Sequence, residues 1–196
     1  MAKMAGCITA WLIQHDAIGE NDRSLYEYAI CCLLLTVSPL AIVLIYGCIM
    51  GLVKESMIFI LPFMFIRKYS GGFHMKHAWT CFICSCTVLF LCIYVTARIS
   101  CSIPLSVMAL GSVVSLCICS PFDSDNRHLD LTEKQNFKRT TIWISILFLI
   151  IYGVLLFFGL GYYAKWIAVG LILPAVSQIP VIIKKIGRQE QGQGLK

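Results

Sequence analysis

The sequence predicts an all-α integral membrane protein with about six transmembrane helices and one further helix at its N-terminus. Apolar residues make up 59% of the 196 residues and charged residues only 13%, whereas a soluble domain is nearer half apolar and a quarter charged. The uncharged residues are gathered into five long runs, and the basic residues responsible for the net charge of +6 lie mainly between them. These three observations exclude a soluble globular domain.

The first element covers residues 1 to about 15. Met4, Cys7, Ile8 and Trp11 recur there at helical spacing, which favours a helix lying in the membrane surface. An unstructured polar leader fits the same residues. The stretch is too weakly apolar for a secretory signal peptide.

The five uncharged runs predict five membrane-crossing helices. Each run has at least 18 residues, about what a helix needs to cross roughly 30 Å of hydrocarbon. Lipid offers no partners to backbone N–H and C=O groups, so each run must be helical. The runs are residues 28–53, 77–97, 99–122, 140–164 and 166–183.

A sixth apolar stretch, residues 56–66, is shorter. Its 11 residues would span only about 16 Å as a helix. It crosses the membrane if the helix extends from about Leu52 to Tyr69 with Lys54 and Lys68 reaching the two interfaces; otherwise it re-enters without crossing. We expect a short crossing, because the charge distribution supports it.

The basic residues predict the topology. With a cytoplasmic N-terminus and six crossings, thirteen of the 16 basic residues face the cytoplasm, as the positive-inside rule requires. No basic stripe is interleaved with exposed aromatic residues, so nucleic acid is not an expected partner. The three basic residues on the outer side are Lys54, Arg98 and Lys165.

The chain is predicted to be one domain, residues 1–196. Most of its 11 cysteines lie in apolar runs, where cysteine behaves as a small hydrophobic residue, so no disulfide framework is predicted. The segments are a surface leader (1–27), a first hairpin (28–66), a polar junction (67–81), a second pair of spans (82–120), a cytoplasmic loop (121–139), a last pair of spans (140–183) and a basic tail (184–196).

The junction concentrates the reactive groups. A cysteine nucleophile must be a thiolate, which an imidazole, a helix N-terminus or nearby cations favour. Cys81 can have all three, since it lies in the first turn of the span that begins near His77. The nearby cations are Arg67, Lys68 and Lys76.

Two histidines compete as the base. His77 and Cys81 are four residues apart, which places them side by side on one helix. His74 is seven residues from Cys81, about 10.5 Å along a straight helix, and reaches the thiol only if Gly71 and Gly72 let the chain fold back. Helix geometry alone leans slightly to His77.

Other interpretations fit parts of the pattern. A cysteine near a span is usually packing, and interfacial His and Lys often anchor lipid headgroups. A metal or redox site at Cys81, Cys84 and Cys86 is disfavoured because it would lie in an apolar span without a second ligand pair, so no metal or cofactor is predicted. A small transporter or exporter would need charged residues in mid-span. A membrane thiol oxidoreductase would need paired cysteines at one face of the membrane. A noncatalytic scaffold stays open.

The string Arg-x-x-x-Gly-Gly-x-His-x-x-x-x-x-x-Cys, from Arg67 to Cys81, resembles the signature of the accessory gene regulator B (AgrB) family. These are bacterial membrane endopeptidases that process the propeptide of a quorum-sensing signal. The resemblance extends to the length, the polar leader, the several spans and a proline-containing polar loop. In that loop Ser120 and His128 stand where the family has alanine and proline.

The resemblance implies a dyad in which His74 is the base and Cys81 the nucleophile, with residues 71–76 outside any helix. It implies a thioester on Cys81, closure of the signal segment into a thiolactone or lactone, and a homodimer in the bacterial cell membrane. The topology predicted from the basic residues places the dyad and both termini on the cytoplasmic side. Asp123, Asp125 and Asn126 are candidates for a third residue. Six basic residues are candidates for binding an acidic propeptide tail: Arg67, Lys68, Lys76, Arg127, Lys138 and Arg139.

Overall fold

The computed structural model describes residues 2–15, 17–70, 78–120 and 131–193. Regular structure in these ranges is helical throughout, without a strand, which confirms the all-α prediction. Within the described residues a short 3-10 helix, Glu20–Asp22, separates the first two of seven α-helices. The seven are α1 (Ala2–Gln14), α2 (Arg23–Met50), α3 (Val53–Ser70), α4 (Ala78–Arg98), α5 (Ile103–Cys119), α6 (Leu131–Phe157) and α7 (Gly161–Gln193).

Helix α1 packs along α2. Ala5 and Thr9 are buried in this contact, whereas Met4, Ile8 and Trp11 point outward and are exposed. The N-terminal segment is therefore a helix with an apolar outer face. Its location in the membrane surface stays a prediction.

Helix α3 is longer than the apolar stretch inside it. It covers 18 residues, Val53–Ser70, close to the predicted extension, and is about 27 Å long. Gly51 ends α2 with a φ of 68°, a left-handed conformation that glycine adopts without steric cost. A Cβ on Gly47 would lie 2.9 Å from Ser56 Oγ, so α2 and α3 approach closely.

Helix α7 lies at the centre and makes its main contact with α3. The closest approach is at Gly170, where a Cβ would lie 2.5 Å from Pro62 Cγ and 2.6 Å from Phe59 O. Trp166, one turn before Gly170, is fully buried against Phe59 and its neighbours. The absence of a side chain at Gly170 is thus what allows α3 and α7 to pack.

Gly170→Ala is expected to destabilise the protein by about 1–3 kcal/mol or more, because the new methyl group overlaps backbone and ring atoms that cannot move away cheaply. For a chain of this length that corresponds to a loss of about 2–4 °C in Tm per kcal/mol. The measurement is thermal unfolding of the protein in detergent micelles. Gly153→Ala in α6 is the matched control: nothing lies within 4 Å of its Cβ position, so the Tm should stay the same or rise. Equal effects of the two substitutions would contradict this packing.

The connections divide between two ends of the bundle. At one end Tyr162 donates a hydrogen bond to Glu55 Oε1 (3.3 Å) and Lys165 Nζ donates to Ile99 O (2.8 Å). At the other end the ring of Tyr69 lies 5.8 Å from that of Phe137. Lys54 and Arg98 directly precede Glu55 and Ile99 in the sequence. The three basic residues predicted to lie outside, Lys54, Arg98 and Lys165, are therefore all at the first end.

Three helices extend past the predicted spans. Helix α2 begins at Arg23, inside the segment 1–27 that was predicted to be a surface leader. Helix α6 begins at Leu131, inside the segment 121–139 that was predicted to be a loop, and α7 continues to Gln193, well into the predicted tail. Residues 131–139 contain neither Gly nor Pro and are rich in Glu, Lys, Gln and Arg, all good helix formers. Charge limits where a helix can enter lipid, but it does not end the helix.

By length and apolar character, one helix within the described ranges suffices to cross a membrane: Thr132–Phe157, with a mean hydropathy of 2.4 in its most apolar window. Only 17% of that window is buried, unlike the core helix of a soluble protein. Apolar side chains also point outward from other helices, including Ile49, Val114 and Ile118. Shorter apolar helices are Met4–Gln14, Val37–Met50, Phe82–Arg98 and Ile103–Cys119.

Candidate functional site

The string from Arg67 to Cys81 extends from the last turn of α3 to the first turn of α4. Helix α3 ends at Ser70, directly before Gly71, and α4 begins at Ala78. Residues 71–77 lie outside the described residues, so the bend at the glycine pair and the choice between two bases stay predictions. The predicted residues concerned are Gly71, Gly72, His74, Lys76 and His77; Arg127, Asp123, Asp125 and Asn126 also lie outside the description.

Cys81 is the fourth residue of α4, so its backbone is described although its side chain is not. The first turn of a helix carries unpaired N–H groups and the positive end of the dipole. This turn contains no acidic residue. A helix start of this kind favours the thiolate form of a cysteine, and the role of Cys81 as the nucleophile stays a prediction.

Arg67 is engaged at the contact between α3 and α7. Its Nη1 donates a hydrogen bond of 2.6 Å to Ser177 Oγ, and Ser177 Oγ donates in turn to Pro174 O at 2.7 Å. The side chain is half-buried. The predicted substrate-binding residue Arg67 thus has a clear structural partner, which the sequence did not indicate.

Three other predicted substrate-binding residues adjoin, in sequence, the contact between Tyr69 and Phe137. Lys68 is exposed, with Nζ 5.4 Å from the centroid of the Tyr69 ring. Tyr69 meets Phe137 edge-on, and the next two residues, Lys138 and Arg139, are exposed on the start of α6. The contact between the two aromatic rings brings these cations to one end of the bundle. We call Lys68, Lys138 and Arg139 the basic rim.

Gln178 is a buried polar residue at the same end that the sequence reading missed. Its side chain is fully buried in α7, and Nε2 donates to Ser120 Oγ at 2.7 Å and to Ser70 O at a longer 3.4 Å. A signal was present: Gln178 is the only amide in the apolar run 166–183, and polar residues within such runs often have a specific role.

Three features of the described residues bear on a metal site, a thiol oxidoreductase and a transporter. No group of three or more His, Cys, Asp or Glu side chains that could hold a metal ion occurs there. The nine cysteines whose side chains are described are free thiols. A buried cation is present at Lys165, but it donates to the carbonyl of Ile99 just past the end of α4, at the end opposite the basic rim.

Comparisons with known proteins agree on one family. The model of the family described as accessory gene regulator B matches residues 5–180. The AgrB-like protein 1 of Clostridium perfringens (strain 13 / Type A) is 30% identical over 161 residues, which cover 77% of this chain and 78% of that protein. No solved structure matches the chain.

Proposed function

Because the chain belongs to the accessory gene regulator B family, whose members take part in processing quorum-sensing peptides, we propose that it is a membrane-embedded cysteine endopeptidase. Its substrate is a short signal propeptide, from which it removes the C-terminal tail. The observation that carries the proposal is the string from Arg67 to Cys81, which occupies the junction of α3 and α4.

The proposed reaction begins with Cys81. His74 accepts the thiol proton, and the sulfur attacks the carbonyl carbon at the end of the signal segment. When the peptide C–N bond breaks, His74 returns the proton to the leaving amine of the tail. The signal segment then remains as a thioester on Cys81, and backbone amides near Gly72 or Cys81 stabilise the oxyanion that forms on the way.

The thioester preserves an activated acyl group. His74 accepts the proton of a thiol within the signal peptide, and that sulfur attacks the same carbonyl. Cys81 leaves as a thiolate, and a thiolactone ring closes; a hydroxyl in that position gives a lactone. Replacing one thiol by another converts one thioester into another of nearly equal free energy, so the acyl group stays activated. Attack by water would destroy it, so the site must restrict water.

The proposal includes a membrane arrangement. All six apolar stretches cross the bilayer, α3 being the short crossing, and the dyad and both termini face the cytoplasm. The uneven distribution of basic residues supports this orientation. The grouping of Glu55, Ile99, Tyr162 and Lys165 at one end of the bundle and the outward apolar side chains support the crossings. A homodimer surrounded by lipid is the proposed assembly.

The basic rim is the proposed binding site for an acidic propeptide tail, together with Lys76 and Arg127. Replacing both Lys138 and Arg139 by glutamine is expected to raise KM about 3- to 10-fold with little change in kcat, because exposed charge pairs contribute about 0.2–1 kcal/mol each. The measurement is the KM of propeptide cleavage at low and at high salt, since screening weakens such contacts.

The matched control is Lys54→Gln, an exposed lysine in the first turn of α3 at the opposite end of the bundle. Its KM should equal that of the unmodified protein. If Lys54→Gln raises KM as much as the double substitution, general charge rather than the basic rim governs binding.

The experiment that tests the proposal is co-expression of the chain with short propeptides encoded beside it, with and without the thiol of residue 81. The shortened propeptide is detected by mass. A transporter would carry a peptide whether or not that thiol is present. Processing that survives removal of the thiol therefore ends the enzyme proposal.

A further inference from the structure

Gln178 connects three helices through one amide group. Nε2 donates to Ser120 Oγ and to the backbone oxygen of Ser70, so those two oxygens lie no farther apart than the sum of the two hydrogen-bond distances. A backbone carbonyl can only accept, which fixes the orientation of the amide: its nitrogen faces Ser70. Gln178 Oε1 is buried and has no partner among the residues described.

The two serines are the last described residues before the two segments that carry the predicted chemistry. Ser70 ends α3 and precedes Gly71, four residues before His74. Ser120 caps α5, where its N–H donates to Leu116 O at 3.1 Å, and precedes Pro121. One side chain of α7 therefore holds the starting points of both segments together.

A second bond strengthens the same connection. Ser177, the neighbour of Gln178, accepts from Arg67, which lies one turn before Ser70 on α3. Two consecutive residues of α7 thus bind the last turn of α3. Packing alone does not require a glutamine at position 178. A buried amide in an apolar bundle is costly unless it is hydrogen-bonded, whereas leucine would fill a similar volume without that cost.

We propose that Gln178 is a positioning residue for propeptide cleavage: by holding Ser70 and Ser120 together it sets where the chain leaves α3 towards His74, and so sets the pairing of that histidine with Cys81. The inference rests on the proposed function. Gln178 acts through the backbone of α3 and does not itself touch the substrate.

The test replaces Gln178 by leucine, which keeps the volume and removes both hydrogen bonds. Gln178→Leu is expected to lower kcat about 10- to 100-fold with KM within about 3-fold, since a small misplacement of a reacting group can cost about 10²-fold in rate. Ser120→Ala should lower kcat less. The double variant should be no slower than Gln178→Leu alone, because both substitutions break the same connection. The control is Gln135→Leu, an exposed glutamine on α6, which should leave kcat unchanged.

A second measurement separates positioning from simple stability. The rate at which iodoacetamide alkylates Cys81 is followed against pH by mass spectrometry of the peptide that contains it. A paired thiol reacts at lower pH than an unpaired one, and Gln178→Leu is expected to shift the profile towards that of an unpaired thiol. A lower yield or Tm with an unchanged profile and unchanged kcat per folded molecule would overturn the inference, and so would a higher KM at constant kcat.

The two proposals fail in different ways. If Cys81→Ala still cleaves the propeptide, the proposed function is lost and this inference with it. If cleavage depends on Cys81 but is as fast in Gln178→Leu as in the unmodified protein, only the role of Gln178 is lost.

Discussion

Replacing Cys81 by alanine is expected to abolish propeptide cleavage, with a loss of at least about 10³-fold, because no other group can form the acyl intermediate. His74→Ala is expected to lower the rate about 10²- to 10⁴-fold, the usual contribution of a general base. His77→Ala should retain most of the activity. The measurement is the rate of tail release from a synthetic propeptide by the protein in lipid vesicles, monitored by mass.

The contrast between the two histidines decides how the junction is folded. His77 can serve as the base only if it continues the helix that carries Cys81, since residues four apart share one helix face. That helix is α4, which begins at Ala78, the residue after His77. His74 can serve only if the chain after Ser70 folds back. Loss of activity in His77→Ala but not in His74→Ala would therefore assign the base to His77 and remove the predicted bend.

Matched controls guard against general damage. Cys84→Ala removes an exposed thiol one turn further along α4. His15→Ala removes an exposed imidazole whose described side-chain contacts are with Trp11 alone, through a hydrogen bond with its carbonyl oxygen and through its ring. Both variants should cleave at the unmodified rate. If Cys84→Ala is as inactive as Cys81→Ala, the nucleophile has been assigned to the wrong turn of the helix.

The existence of the helices followed directly from hydropathy, but their ends did not. Long uncharged runs force helices because lipid leaves no other partners for the backbone, and each run lies mainly in one helix. The run 140–164 also extends across the break between α6 and α7. The residues 131–139 were assigned to a loop because they are charged, yet they are the first turns of α6. Hydropathy reports where lipid ends, whereas the end of a helix depends on local propensity and capping.

The chemistry of the candidate site was readable only where it is local in sequence. The string from Arg67 to Cys81 lies within 15 residues, so spacing alone could indicate it. The bonds of Gln178 to Ser70 and Ser120 join residues 108 and 58 positions apart. Such pairs depend on how α3, α5 and α7 pack, which one sequence does not specify. Arg67 likewise gave no sign that Ser177 would accept its hydrogen bond.

A propeptide whose ring-closing nucleophile is replaced by alanine is expected to leave its signal segment attached to Cys81. The tail should then be released in a burst of about one equivalent per active site, followed by slow turnover, because the thioester forms normally and only water can remove it. Intact-mass analysis of the protein should show an increase equal to the signal segment, and neutral hydroxylamine should remove it, as it does a thioester.

The residue that carries the adduct distinguishes this mechanism from direct hydrolysis. Cys81→Ala should show neither burst nor adduct, whereas Cys84→Ala should show both. Steady release of the tail that depends on Cys81 but has no burst and no adduct would mean that water reaches the thioester as fast as it forms. The chain would then be a plain peptidase, and ring closure would need another agent. Because the adduct persists until a peptide thiol attacks it, one enzyme can both cut the propeptide and use the activated acyl group to close the ring.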